Sequence, residues 1–403
     1  MGPPSRAVSL LDRKLLRDLR ALKSQALAIA LVMASGLAMM IVTRSLILSL
    51  TATRDAYYEH HRFAQVFARL KRAPNFVREQ LAAIPGVAIV QTGIAIQVTL
   101  DVPGLAEPAV GLLNSLPEHG GPVLNLPYLR SGRLPQSHTA RTELAVSEAF
   151  ADVHGLKPGD TLSAVLNGRK ETFRLSGIAL SPEFVFEAPP GMALPDNKTY
   201  GVFWAPYKEL ATAFQLYGAF NNVALTLVPG ASEGAVIAAV DRIITPYGGR
   251  GAFGRTNHPS HRRVDDEIRV LEGLSIAYPL VFLSVAAFMV NSVMSRQVAL
   301  QREQIAMLKA CGFSNAQVGG HYFKFSLAIV VVGVALGTAG GVFLGGKLLE
   351  MYHLFFRFPQ IEFLLDTHVL VAAGGVSSLA AFIGVAGAVR RAVRLPPAEA
   401  MRP

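Results

Sequence analysis

RQVALQREQIAMLKACGFSNAQVGGHYFK, residues 296–324, is the stretch whose reading decides the fold. It is polar and basic with helical spacing: Val298, Ile305, Leu308 and Val318 interleave with Arg302, Glu303, Gln304 and Lys309. Gly312 interrupts the pattern, and Ser314 stands where a cap would restart a helix. Long apolar runs flank it on both sides. A short amphipathic helix receiving a push from a soluble partner fits this pattern, and so does a solvated connecting loop.

The runs on either side are Ile276–Met294 and Phe325–Gly346, and two more lie at Gln25–Thr43 and Val369–Val389. Each is close to the roughly 20 residues that cross a bilayer as a helix. Composition agrees, with 51% hydrophobic residues, 16% charged residues and a mean hydropathy of +0.37. The net charge of +10 would suit nucleic acid if it formed a patch, but it does not. Six Lys/Arg against Asp12 and Asp18 leave +4 in residues 1–23, while residues 295–324 and 390–403 each carry +3. Residues 49–270 hold 21 bases and 20 acids. The excess flanks the apolar runs, as cytoplasmic segments do under the positive-inside rule, so no nucleic-acid partner is expected. Cys311, the one cysteine, permits no intrachain disulfide and falls in a segment this bias makes cytoplasmic.

SLLDRKLLRDLRALK (9–23) is a basic amphipathic helix suited to an anionic membrane lipid surface. The apolar run behind it exceeds a signal-peptide core and has no clear cleavage site, so it reads as a retained span. Helical spacing continues through SLILSLTATRDAYYEHH as a stalk, and VDDEIRVLEGLS (264–275) forms a second one. Between them lie a strand, the helix NFVREQLAAI and further strand material, then a Gly/Pro-rich strand region at about 100–205, and finally NNVALTLVPG and SEGAVIAAVDRIITPYG as strand and helix.

The expected fold is a membrane α-helical protein of four transmembrane helices, with an α+β extracytoplasmic domain inserted between spans 1 and 2. Residues 1–23 form the cytoplasmic amphipathic helix, 24–48 the first span and 49–270 the periplasmic core domain with its stalks. The second span is 271–294 and the cytoplasmic coupling segment 295–324. Then come span three at 325–349, an outer loop at 350–368, span four at 369–391 and a cytoplasmic tail at 392–403. Both termini are then cytoplasmic and the large domain is outside, in a bacterial inner membrane.

Three catalytic-looking patterns fail on context. Gly341–Lys347 nearly fits a phosphate loop, but Leu348 replaces the magnesium-binding hydroxyl and the run lies in a span. Gly249-Arg-Gly251-Ala-Phe-Gly254 matches GxGxxG, yet RTNHPSHRR follows it instead of a helix. His60, His61, His258 and His261 lack acidic or thiol companions at ligand spacing, and surface histidines are the expected reading, with no metal. With no nucleophile–base set, the chain reads as no enzyme and binds no cofactor itself. More informative are Gly333, Gly337, Gly341 and Gly345, which recur every fourth residue and make a smooth helix-packing ridge. That ridge suits packing inside the four-span bundle or against another subunit.

With these residues in view, the chain resembles the FtsX/MacB-like permeases of ABC transporters. QREQIAMLKACGFSNAQV (301–318) is similar to the family's cytoplasmic loop after the second span, and AVRLPPAEAMRP (392–403) to its Pro-x-Glu-Ala-x-Arg ending. SGRLP (131–135), VSEAFADVHGLKPGD (146–160) and GIALSPEFVF (177–186) are similar to its periplasmic core domain. The resemblance implies a transporter subunit without its own nucleotide site, whose ATP sits on a cytoplasmic ABC ATPase subunit. It implies a coupling contact at Arg302, Glu303, Ile305, Leu308, Lys309, Gly312, Phe313 and Ser314, and movement of the periplasmic domain by mechanotransmission, for export or lipid and lipoprotein handling. The opening stretch is most like the N-terminal half of ten-span, two-unit members. A second permease unit is therefore expected, as a homodimer or a separate half, and the chain is expected to be half-length, split or truncated. The rival reading is a membrane-anchored extracytoplasmic sensor or scaffold, against which three spans after the domain and no output domain stand.

Overall fold

The structure is a computed structural model of the 403-residue chain and describes residues 10–118, 123–137, 139, 141–192 and 194–394. Residues 1–9 of the expected amphipathic segment and 395–403, with the Pro-x-Glu-Ala-x-Arg ending, lie outside the described residues. The chain divides into two compact units. One, the helical unit, holds Met1–Ser49, Arg269–Leu349 and Phe363–Pro403; the other, the inserted domain, holds Leu50–Ile268 and Glu350–Glu362.

The helical unit opens with α1 (Leu10–Ala21). Four further helices are long and apolar enough to cross a membrane: α2 (Lys23–His60), α7 (Pro259–Leu300), α9 (Asn315–Tyr352) and α10 (Thr367–Arg394). With 38 and 42 residues, α2 and α7 reach roughly 60 Å at 1.5 Å per residue, about twice a bilayer's hydrocarbon core. Both therefore carry the stalk spacing read from the sequence as unbroken helix. Ile29, Met33, Leu283, Val290, Phe325, Ile329 and Val385 form the unit's core. The outward faces stay apolar, with Leu280 at 69%, Phe288 at 70% and Val371 at 70% exposure, as lipid-facing positions require.

The inserted domain has two lobes. In the first, a four-stranded sheet runs in the order β11 (Ala252–Gly254), β1 (Val66–Pro74), β10 (Ala219–Leu227), β2 (Val87–Gly93). It is covered by α3 (Val77–Ala82) and α6 (Glu233–Ile244), which bury Leu81, Val236, Val240 and Ile244 against Val66, Val223 and Leu225. Ser232 caps α6 by accepting from Ala235 N at 3.4 Å.

The second lobe is a seven-stranded sheet ordered β5 (Tyr128–Gly132), β8 (Arg169–Leu180), β6 (Glu143–Ser147), β9 (Tyr200–Pro206), β4 (Ala109–Leu116), β3 (Ala95–Asp101), β7 (Thr161–Leu166). One half of the 12-residue β8 pairs with β7 and the other half with β6 and β5, so the sheet curls back on itself. The β7–β8 turn is Asn167-Gly168, both at positive φ (48° and 80°), the backbone that an Asn-Gly hairpin favours. The domain also contains α4 (Glu148–His154), a helix inside the stretch read as strands, and α5 (Tyr207–Ala213).

One expectation is corrected here. His258 is not a surface histidine: it is 7% exposed, with its ring 4.6 Å from that of Phe67 and 5.4 Å from that of Phe63. The short strand β11 pairs with β1 and carries the following residues in beneath this aromatic cluster. His261 is half-buried beside Tyr58, while His60 is exposed.

Candidate functional site

The second and third apolar helices meet through a compact joint. The helix α7 ends at Leu300, Gln301 leaves helical geometry at φ −100° and ψ 19°, and α8 (Arg302–Ala310) follows as nine residues. Gly312, at φ +90°, turns the chain where a side chain would be strained. Ser314 then accepts from Gln317 N at 3.2 Å while the Gln317 side chain accepts from Ser314 N at 2.8 Å. This reciprocal capping box starts α9 ten residues before the expected span. The segment 295–324 is thus the end of one long helix, a short helix, a turn and the beginning of another long helix.

The joint sorts the residues singled out from the sequence. Arg302, Glu303, Gly312 and Ser314 are exposed, while Leu308, Lys309 and Phe313 are half-buried. Ile305 is 2% exposed and packs into the chain's own core beside Val298, Val318, Tyr322 and Phe325, with Phe313 against the same cluster. It anchors the joint from within. Leu300 is 75% and Met307 63% exposed, and sequence reasoning selected neither.

A buried polar cluster under the joint was also missed. Asp18, 7% exposed, takes the Lys14 ammonium at 2.6 Å and lies 3.2 Å from His321 Nε2. Lys14 also donates to Gln301 Oε1 at 2.7 Å, and the Tyr322 hydroxyl donates to that oxygen at 3.3 Å. One cluster therefore ties α1 to the residue where α7 breaks and to the first turns of α9. Leu15 and Leu19 of α1, with Leu22 just beyond it, pack on the helical core, leaving Leu16, Arg13, Arg17 and Arg20 exposed. That stripe meets protein, where the sequence suggested a lipid surface.

The glycine ridge of α9 lies against α2. A Cβ at Gly333 would stand 3.1 Å from Met33 Cβ, at Gly337 2.7 Å from Leu37 Cβ and 2.9 Å from the Ala34 carbonyl, and at Gly341 2.9 Å from Ile41 Cβ. One at Gly345 would stand 2.8 Å from the Phe363 ring. Within this chain the ridge is a backbone-to-backbone seat for the first long helix.

Four helices long and apolar enough to cross a membrane, a β-rich domain between the first and second, and a short helical joint between the second and third define a multi-span architecture. Residues 276–397 match the FtsX-like permease C-terminal family. A curated relative, an uncharacterized membrane protein of Buchnera aphidicola subsp. Schizaphis graminum, is 18% identical over 230 residues, or 56% of this chain. The chain spans about half (51%) of that relative's length. Among solved structures, the extracellular domain of the noncanonic ABC-type transporter YknZ from Gram-positive bacteria is 13% identical, with a TM-score of 0.30 over 47% of this chain and 98% of its own. The periplasmic region of MacB from Actinobacillus actinomycetemcomitans is 9% identical, with a TM-score of 0.31 over 51% of this chain and 92% of its own.

Proposed function

We propose that the chain is the permease subunit of an ABC transporter, coupling ATP hydrolysis on a separate cytoplasmic ATPase subunit to movement of its inserted domain. The observation that carries the reading is the FtsX-like permease match, which spans the joint and the helices on either side of it. The joint suits that role physically. Its exposed face offers Leu300 and Met307 as apolar anchors, with Arg302 and Glu303 as charges beside them, while Ile305 fixes the helix to the core behind. A push on α8 is delivered to α7 and α9 together, and α7 runs unbroken into the inserted domain. On this reading the joint and both termini are cytoplasmic, the inserted domain is extracytoplasmic, and a second permease unit completes the transporter in the lipid bilayer. The protein works by mechanotransmission, for export or lipid and lipoprotein handling.

The test is to recover the ABC ATPase that co-purifies with the tagged chain and measure its hydrolysis in proteoliposomes. Met307→Asp, which puts a charge on the exposed face, is expected to cut the permease-stimulated rate at least tenfold, the loss expected when an apolar anchor of an interface is replaced by a charge. Membrane insertion should be unchanged. Ile305→Asp should instead lower the yield of folded protein, because it buries an unpaired carboxylate. Recovery of no ATPase, or an unchanged stimulated rate in Met307→Asp, counts against the proposal.

A further inference from the structure

Between the two lobes of the inserted domain lies a cavity of about 290 Å³ whose chemistry the permease reading leaves unused. Several of its walls are aromatic. Phe67 and Phe253 stack at 5.8 Å on the four-stranded side, with Phe184, Phe186 and Tyr200 on the other. The cavity is near the lower end of the roughly 300–1,000 Å³ that small-ligand pockets occupy, and a few polar groups converge on it as such pockets require.

Those groups are unusual for a void that merely separates two lobes. Glu187 is 3% exposed; Ser147 Oγ donates to it at 2.7 Å, and among the described residues it forms no ion pair. Glu183 is partly buried, accepts from Asn125 Nδ2 at 2.8 Å, and likewise has no ion-pair partner among the described residues. His258 lines the same space, and its Nδ1 finds no hydrogen-bond partner among the described residues. A buried carboxylate without a counter-charge is costly, and an unpartnered imidazole nitrogen adds to that cost. A fold keeps such groups where a ligand satisfies them. The cavity's one base, Arg69, is exposed. Two carboxylates against one arginine leave the lining with an excess of negative charge. The aromatic faces add to this, since a ring quadrupole attracts a cation, and Arg263 already sits over the Phe186 ring at 5.7 Å.

We propose that this cavity binds a small amphiphilic organic cation, an apolar body carrying a protonated amine, with the amine held by Glu187 and Glu183 and the body held among the phenylalanines. The proposal does not depend on the transporter reading.

Protonation sharpens the proposal. Burial pushes the Glu187 carboxyl up to about 7, with Arg357 and the Ser147 hydrogen bond pulling the other way and Glu148 adding to the rise. Burial raises Glu183 as well, against Arg69 and Asn125, and holds His258 neutral. Tyr200, between the two carboxylates and Arg69, keeps its proton. Below neutral pH Glu187 is mostly protonated and offers an amine less charge to pair with. Above it Glu187 ionises, so amine affinity should rise as pH goes from 6 to 8.

The experiment uses the full chain in nanodiscs of zwitterionic lipid, with empty discs as reference, and isothermal titration with 2-phenylethylamine, its neutral analogue 2-phenylethanol and the anion 3-phenylpropionate. The amine should bind saturably and at least tenfold tighter than either analogue, with the advantage growing from pH 6 to pH 8. Glu187→Gln should weaken the amine at least tenfold, the size expected for losing a charge-assisted hydrogen bond, and leave the alcohol unchanged. Arg69→Ala, at an exposed position, should tighten the amine about threefold by removing a competing charge. The proposal is overturned if the amine shows no saturable binding above empty discs up to about 10 mM, a threshold of weak affinity. It is equally overturned if alcohol and amine bind alike, or if Arg69→Ala leaves amine affinity unchanged.

Discussion

His258 gives the inserted domain a specific liability to acid. Burial against Phe63 and Phe67 pushes its imidazole down to about 3, and nearby Arg69, His261 and Arg255 add to the fall. The folded pKa lies below the ordinary 6.5 of the unfolded chain. Above pH 6.5 both states are neutral and the contribution is full. As pH falls below 6.5 only the unfolded chain takes the proton, and stability drains at about 1.4 kcal/mol per pH unit until the folded ring titrates near 3. Glu187 runs the other way: raised from 4.5 to about 7, its contribution is full below 4.5 and is lost as pH rises to 7. Between 4.5 and 6.5 the two slopes oppose each other. His258→Phe should therefore show a stability gap from the native protein that changes by a few kcal/mol between pH 6.5 and pH 4, always in the variant's favour as pH falls. Urea melts followed by Trp204, the single tryptophan, buried in β9, would read it; a pH-independent gap would sink the argument. No spacing rule could have placed this histidine. Its burial depends on β11 pairing with β1, residues almost 190 positions apart in the chain.

Among elements, the contact between α9 and α2 is the most sharply testable. At Gly337 a single methyl would already stand 2.7 Å from Leu37 Cβ and 2.9 Å from the Ala34 carbonyl, so a larger side chain must drive the helices apart. Gly346, on the same helix, has nothing within 4 Å of its would-be Cβ. Gly337→Ile is expected to cost at least the 1–3 kcal/mol typical of overpacking and to lower the aggregation temperature in mild detergent clearly. Gly346→Ile should leave it within about a degree or two, as a substitution that overpacks nothing does. Equal behaviour of the two variants would mean that the ridge is not a packing surface. The ridge itself was legible, because a four-residue glycine period has few other uses in an apolar helix. So was the cap at Ser314, whose signal is local. The order of the seven-stranded sheet was not, since β4 pairs in parallel with β9 about 90 residues later and no local pattern encodes that partner. Nor did the sequence assign inward and outward residues on α8. Ile305 and Met307 are equally apolar, and only the packed core decides that one is buried and the other exposed.

At the scale of the whole molecule, the number and order of apolar helices followed from hydropathy, because a bilayer imposes a length that composition alone can meet. The cluster joining Lys14 and Asp18 to Gln301 and His321 did not, as each looks in sequence like an ordinary surface residue; only folding brings parts of the chain some 300 positions apart into one buried network. Orientation is the property on which the proposed function turns. It was argued from charge placement: +4, +3 and +3 in three short segments, against near-balance across residues 49–270. The chain supplies its own probe, because Cys311 is its single cysteine and is exposed at the joint. A membrane-impermeant maleimide should fail to label the native protein in intact spheroplasts and label it fully in inverted vesicles. Lys157→Cys, at an exposed position of the inserted domain, should behave in the opposite way in a Cys311→Ser background. The two positions must differ, since α7 carries a single apolar run between the domain and the joint. Labelling of Cys311 from outside would put the joint out of reach of any cytoplasmic ATPase, and the proposed coupling would fall even though the fold stood.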